Sequence, residues 1–154
     1  MTKKILSTLI ALTIILSGNV LGQDKNGKDV EEIKKTILNS YQDGLQNEGD
    51  IKKIDEGFHP LFKMIAVNNE GKVWEYPIED WKKATEKKVK DGKLPRLQNN
   101  KVKIKIPMVD VTGIAAVAKL EFYVKEKLTY VDYMSLYKLE GKWKIVAKIY
   151  DTQK

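Results

Sequence analysis

Four side chains in this sequence could do chemistry together or singly: the phenol of Tyr41, the imidazole of His59, the carboxylate of Asp132 and the amine of Lys148. Asp132 stands in an alternating stretch, with Tyr130, Met134 and Leu136 sharing its face by two-residue periodicity. If that face is inward, a carboxylate sits among apolar and aromatic neighbours, where it can orient a ligand or handle a proton. If the face is outward, it pairs with a lysine on the next strand and carries no chemistry. Tyr41 lies on the apolar stripe of a helix, as a core tyrosine with a satisfied hydroxyl or as a ligand contact. His59 precedes Pro60 and can serve as a helix-end cap or as a functional group. Trp74 and Trp81 bracket a hairpin-to-helix junction and read as core or, alternatively, as walls of a ligand pocket. Lys148 can pair with Asp132 or be solvated.

Composition removes many alternatives. The 154 residues contain no cysteine and one histidine, which excludes disulfides, thiolate nucleophiles, lipid-modified cysteine and multi-histidine metal sites. No glycine-rich phosphate loop or G-x-S-x-G elbow occurs, so no cofactor and no metal is expected. The formal charge is +7, but all but one of the 28 basic residues are lysine. Without arginine's planar fork, nucleic-acid recognition is not expected. The densest lysine run, Lys82–Lys93, is interleaved with Glu79, Asp80, Glu86 and Asp91 and reads as a solvated helix face.

The elements that must position the candidates follow from periodicity. Met1–Gly22 has the form of a secretory leader: Lys3 and Lys4, an apolar run Ile5–Leu16, a break at Ser17-Gly18-Asn19, and short residues before Gln23. That run rises only about 18 Å as a helix, against a ~30 Å hydrocarbon core, so export without stable membrane insertion is expected, to the periplasm or outside the cell. Residues 23–28 read as a polar tether, and 29–154 as one domain. A capping box at Asp29 and Glu32 opens a first helix to about Gln46, striped by Ile33, Ile37, Tyr41 and Leu45. After the turn Asn47-Glu48-Gly49-Asp50, a short second helix carries Ile51, Ile54 and Phe58 and stops at Gly57 and Pro60. A hairpin follows, with strands 62–68 and 72–76 around Asn69-Glu70-Gly71. Pro77 then opens a third helix ending before Gly92. Four strands in antiparallel succession, 101–111, 114–125, 127–139 and 143–151, complete an α+β domain, with helices on one face of a curved sheet.

Two stretches resemble a known superfamily. Tyr41 to Pro60, with its tyrosine-bearing helix, N-x-G-D turn and Phe-His-Pro, is similar to the opening of nuclear transport factor 2-like proteins. Tyr130–Leu136 and Gly141–Val146 resemble their ending. The secreted bacterial lumazine-binding branch, related to the SnoaL-like proteins, is the most similar in character. The resemblance covers residues 29–151 and implies a cone-shaped (cystatin-like) α+β fold around a pocket, commonly as a homodimer. In the ketosteroid isomerase branch, a tyrosine and a protonated aspartate form an oxyanion hole and a separate aspartate is the base. Tyr41 and Asp132 fall at the first two of these positions. The stretch for the base, Met64-Ile65-Ala66-Val67, has no carboxylate, so isomerase chemistry is not carried over.

The expected function is therefore an exported, non-catalytic protein that binds a small apolar or aromatic molecule through Tyr41, His59, Trp81, Tyr130, Asp132 and Met134. Two alternatives stay open: an isomerase, cyclase or dehydratase using Asp132, Tyr41 and His59, or a pocketless module that binds another envelope protein.

Overall fold

The computed structural model describes residues 20–153. The leader expected over residues 1–22 lies almost wholly outside them. Helix α1, Val20–Thr36, runs without interruption into a π-helical segment, Ile37–Glu48. A turn leads to α2, Ile51–Gly57, then to β1, Phe58–Val67, and β2, Val73–Pro77. Helix α3, Ile78–Lys90, precedes β3, Val102–Thr112, β4, Ala115–Val124, β5, Lys127–Leu139, and β6, Lys142–Thr152. The six strands form one curved, unclosed sheet in the order β2-β1-β6-β5-β4-β3, with the helices on its inner face. The expected α+β architecture is the one observed.

Several local expectations are corrected. The segment read as a tether is helical and continuous with the first helix. Asp29 is therefore inside a helix, not at its cap. Its buried carboxylate accepts from the Lys138 ammonium and from the Trp143 indole N–H at 3.2 Å, tying α1 to β5 and β6. Phe58 does not stripe α2: the helix ends at Gly57 and Phe58 is the extended first residue of β1. Trp74 is not core: it shares the inner face with Ala66 and Tyr76, but β2 is the edge strand of the sheet and the indole stays 39% exposed. The sheet is also not wholly antiparallel, since β1 runs parallel to β6, with Met64 beside Lys148.

The core lies between helices and sheet. Ile33, Ile37, Tyr41 and Leu45 from the long helix meet Ile54, Phe62, Leu120, Met134, Leu136 and Ile145. Register shifts interrupt the β3–β4, β4–β5 and β5–β6 ladders, and such bulges bend the sheet around the helices. The long helix crosses α2 closely: a Cβ on Gly57 would stand 2.1 Å from Ser40 Oγ, and one on Gly44 2.9 Å from Lys53 Cβ.

Candidate functional site

The π-helical segment positions Tyr41. Its wide turns are pinned to β3 just after that residue: the Ile104 N–H donates to Gln42 Oε1 at 2.7 Å. The buried Asn47 carboxamide exchanges two hydrogen bonds with the Val102 backbone, at 2.8 and 3.0 Å. Wide helical turns of this kind are rare and recur at functional positions. From the sheet, β5 directs Tyr130, Asp132 and Met134 inward, and β6 directs Lys148 and Tyr150 inward. Asp132 stands opposite Tyr150, and Met134 opposite Lys148, so carboxylate and amine are diagonal neighbours on adjacent strands.

These residues close a three-membered polar cluster. The Tyr41 hydroxyl donates to Asp132 Oδ2 at 2.8 Å, and Lys148 Nζ donates to the same oxygen at 2.9 Å and to the Tyr41 oxygen at 2.9 Å. Asp132 is 0%, Tyr41 1% and Lys148 5% exposed. Asp132 Oδ1 is buried with no hydrogen-bond partner. Aromatic rings form the walls. Lys148 Nζ lies 4.9 Å from the ring centre of Tyr150, 5.1 Å from Tyr41 and 5.6 Å from Trp81. Phe122 packs edge-on to Tyr130, and Tyr130 edge-on to Tyr150. Trp81, Tyr130 and Tyr150 are only half-buried and make the outer margin of the cluster.

Burial governs the electrostatics. It lowers the proton affinity of Lys148, against the pull of the Asp132 carboxylate. It also raises Tyr41 well above the ordinary tyrosine value, with Asp132 as the second cause. A pH dependence follows. Unfolded Tyr41 loses its proton near pH 10, whereas folded Tyr41 keeps it, so above pH 10 the unfolded state binds fewer protons and stability falls as pH rises. The slope from this one group is about 1.4 kcal/mol per pH unit. Tyr41→Phe is expected to lose about 1–2 kcal/mol at pH 7 and to show a shallower alkaline decline. Urea unfolding of both proteins between pH 8 and 11 measures the difference, and parallel curves would refute it.

The structure thus brings Tyr41, Trp81, Tyr130 and Asp132 together, with Met134 buried beside them. His59 stands apart. Its Nδ1 accepts the Leu61 N–H at 3.1 Å, and it lines a cleft of about 270 Å³ with Asp55, Phe58, Glu79 and Lys82. An open cleft of about 950 Å³ lies elsewhere, between Glu32, Asn39, Asp55 and Lys144, and contains none of the six expected ligand contacts. Lys148, left as an optional partner in the sequence reading, is an integral member of the cluster. Tyr150 and Phe122 were missed, although alternation along the last strand places Tyr150 on the face of Lys148.

Among solved structures, the chain is similar to a nuclear transport factor 2-like protein of unknown function from Shewanella baltica OS155. The TM-score is 0.65 at 22% identity, over 83% of this chain and 96% of that one. A second such protein, from Silicibacter pomeroyi DSS-3, gives a TM-score of 0.65 at 16% identity, over 83% and 98%. These likenesses show the fold. In sequence, the chain is 27% identical over 104 residues to a protein named aldolase FrzH from a Cladobotryum species, covering 67% of this chain and 76% of that one. The fold and a match over residues 28–151 agree: the chain belongs to the family described as "Putative lumazine-binding" within the nuclear transport factor 2-like superfamily.

Proposed function

We propose that this protein is an exported binding protein for a small, flat, largely apolar molecule, held at the Tyr41–Asp132–Lys148 cluster without turnover. The unpartnered, buried Asp132 Oδ1 carries this reading. A buried carboxylate oxygen without a donor is costly, and a ligand N–H or O–H would satisfy it while the surrounding rings stack on the ligand's faces. A lumazine has that chemistry, with ring N–H groups on a planar bicycle, and the family description supports it as a first probe. Binding is favoured over proton-shuttling catalysis because the strand segment Met64–Val67 offers no carboxylate beside the cluster. Carbonyl chemistry is the second reading, favoured by the buried amine and by the similarity to a protein named as an aldolase.

Two measurements test binding: mass spectrometry of molecules released on denaturing the natively exported protein, and titration with lumazine followed by tryptophan fluorescence. A stoichiometric ligand or a saturable quench is expected, weakened roughly 10- to 100-fold in Asp132→Asn. Bare protein together with no quench would overturn the proposal. Export is tested by the N-terminus of the secreted chain, expected at Gln23. Among the described residues no helix is long and apolar enough to cross a membrane.

A homodimer belongs to the same proposal. The outer sheet face carries Ile65, Val117, Tyr133 and Ile149, with Tyr133 and Ile149 directly paired and 44% and 53% exposed. Apolar patches of this kind mark contact surfaces, and a second copy offers the same patch. Ile149→Lys is expected to convert a dimer to a monomer in sedimentation equilibrium. A wild-type monomer at all concentrations would end the idea.

A further inference from the structure

Lys148 is the only lysine among the described residues that is buried. Its surroundings differ from those of a structural ion pair in three respects. Its amine touches two groups that can exchange protons with it, the Asp132 carboxylate and the Tyr41 hydroxyl, each at 2.9 Å. The carboxylate retains an oxygen with no partner. Three aromatic rings surround the nitrogen, and two of them, Trp81 and Tyr150, keep part of their surface in solvent, so a ligand that reaches the amine must displace these half-exposed rings.

We propose that Lys148 captures aldehyde or ketone ligands as a reversible iminium among these aromatic rings. The proposal rests on the binding reading above and names the ligand class as carbonyl compounds. Asp132 takes a proton from the Lys148 ammonium through Oδ2, the oxygen that already accepts from it. The amine lone pair then adds to the carbonyl carbon; a C–N bond forms, and the carbonyl oxygen receives the Tyr41 proton. The Tyr41 phenolate recovers a proton from the new ammonium nitrogen, giving a neutral carbinolamine. Asp132 returns its proton to the carbinolamine hydroxyl, the C–O bond breaks, and water leaves as the C=N bond forms. The net change is ammonium plus carbonyl to iminium plus water, with nothing oxidised or reduced. The positive charge stays beside Asp132 and among the same rings, so the cluster that holds the ammonium also holds the product. Desolvation also favours the free amine that must attack.

The test uses benzaldehyde with cyanoborohydride at neutral pH, followed by intact mass and peptide mapping. Reduction converts the iminium to a stable benzyl amine. Lys148 is expected to be labelled first, at least about 10-fold faster than any surface lysine, with the preference lost in denatured protein. Tyr41→Phe, which keeps the ion pair, is expected to slow Lys148 labelling on the order of 100-fold while leaving surface labelling unchanged. Labelling confined to surface lysines would overturn the inference. Benzaldehyde titrated without reductant separates it from the binding reading. A saturable tryptophan quench without Lys148 labelling would sink amine capture and leave binding standing, whereas no quench and no labelling would count against both.

Discussion

Asp132→Leu is expected to lower the unfolding free energy by about 3–5 kcal/mol. The loss does not come from the leucine, which suits a position flanked by Leu120, Phe122 and Met134. It comes from Lys148, left as an ammonium at 5% exposure without its counter-charge. The triple variant Tyr41→Phe, Asp132→Leu, Lys148→Met removes every polar member together and leaves side chains of similar volume. Its stability is expected to match or exceed that of the wild type, because buried ion pairs rarely repay the desolvation of both partners. Urea unfolding of wild type, single and triple variants decides the matter. If the triple variant is as unstable as the single, the three groups are not one energetic unit and the cluster is ordinary core. If the triple variant is stable but no longer binds, the cluster is retained for its chemistry at the expense of stability, as functional sites generally are.

That cluster was partly legible because two of its members sit on β5 and β6, whose alternation assigns faces from sequence alone. Tyr130, Asp132 and Met134 share one side, and the strand's inward side follows once Leu136 is buried. The pairing of Asp132 with Lys148 needs the β5–β6 register, in which Met134 opposes Lys148; a bulge between Ser135 and Leu136 shifts that register and leaves no sequence mark. The π-helical segment was hidden for a related reason. Ile33, Ile37, Tyr41 and Leu45 recur every four residues, a spacing that fits an apolar face whether each backbone bond closes one residue nearer or farther. Asp29 misled because Asp followed by Glu at three residues is a good local start signal. Its actual partners, Lys138 and Trp143, come from strands more than 100 residues away. His59 misled by proximity: one residue from Phe58 in sequence, it points away from the cluster because alternation along β1 sends neighbours to opposite faces.

The turn before α2 is where a single methyl group should do the most damage. Gly49 closes the π-helical segment at φ +77°, with its N–H donating to the Gly44 carbonyl at 2.9 Å. The next residue, Asp50, caps α2 by accepting the Lys53 N–H at 3.2 Å. Gly49→Ala meets two separate penalties. The left-handed backbone costs an L-residue about 1–2 kcal/mol. The new Cβ would also stand 2.4 Å from Val89 Cγ2 and 3.3 Å from Leu94 Cδ1, an overlap that in packed sites costs about 1–3 kcal/mol. Together they predict a loss of about 2–5 kcal/mol in urea unfolding. The two parts separate in a Val89→Ala background, where the overlap with valine disappears and the backbone strain remains. There Gly49→Ala is expected to recover part of the loss and never all of it. Full recovery would mean that the positive φ is not strained, and an undiminished loss would mean that Val89 is not the obstacle. Because this turn fixes where the π-helical segment ends, and Asn47 grips β3 two residues before it, the same substitution should loosen Tyr41. Its phenol would then ionise nearer the ordinary tyrosine value in an alkaline absorbance titration.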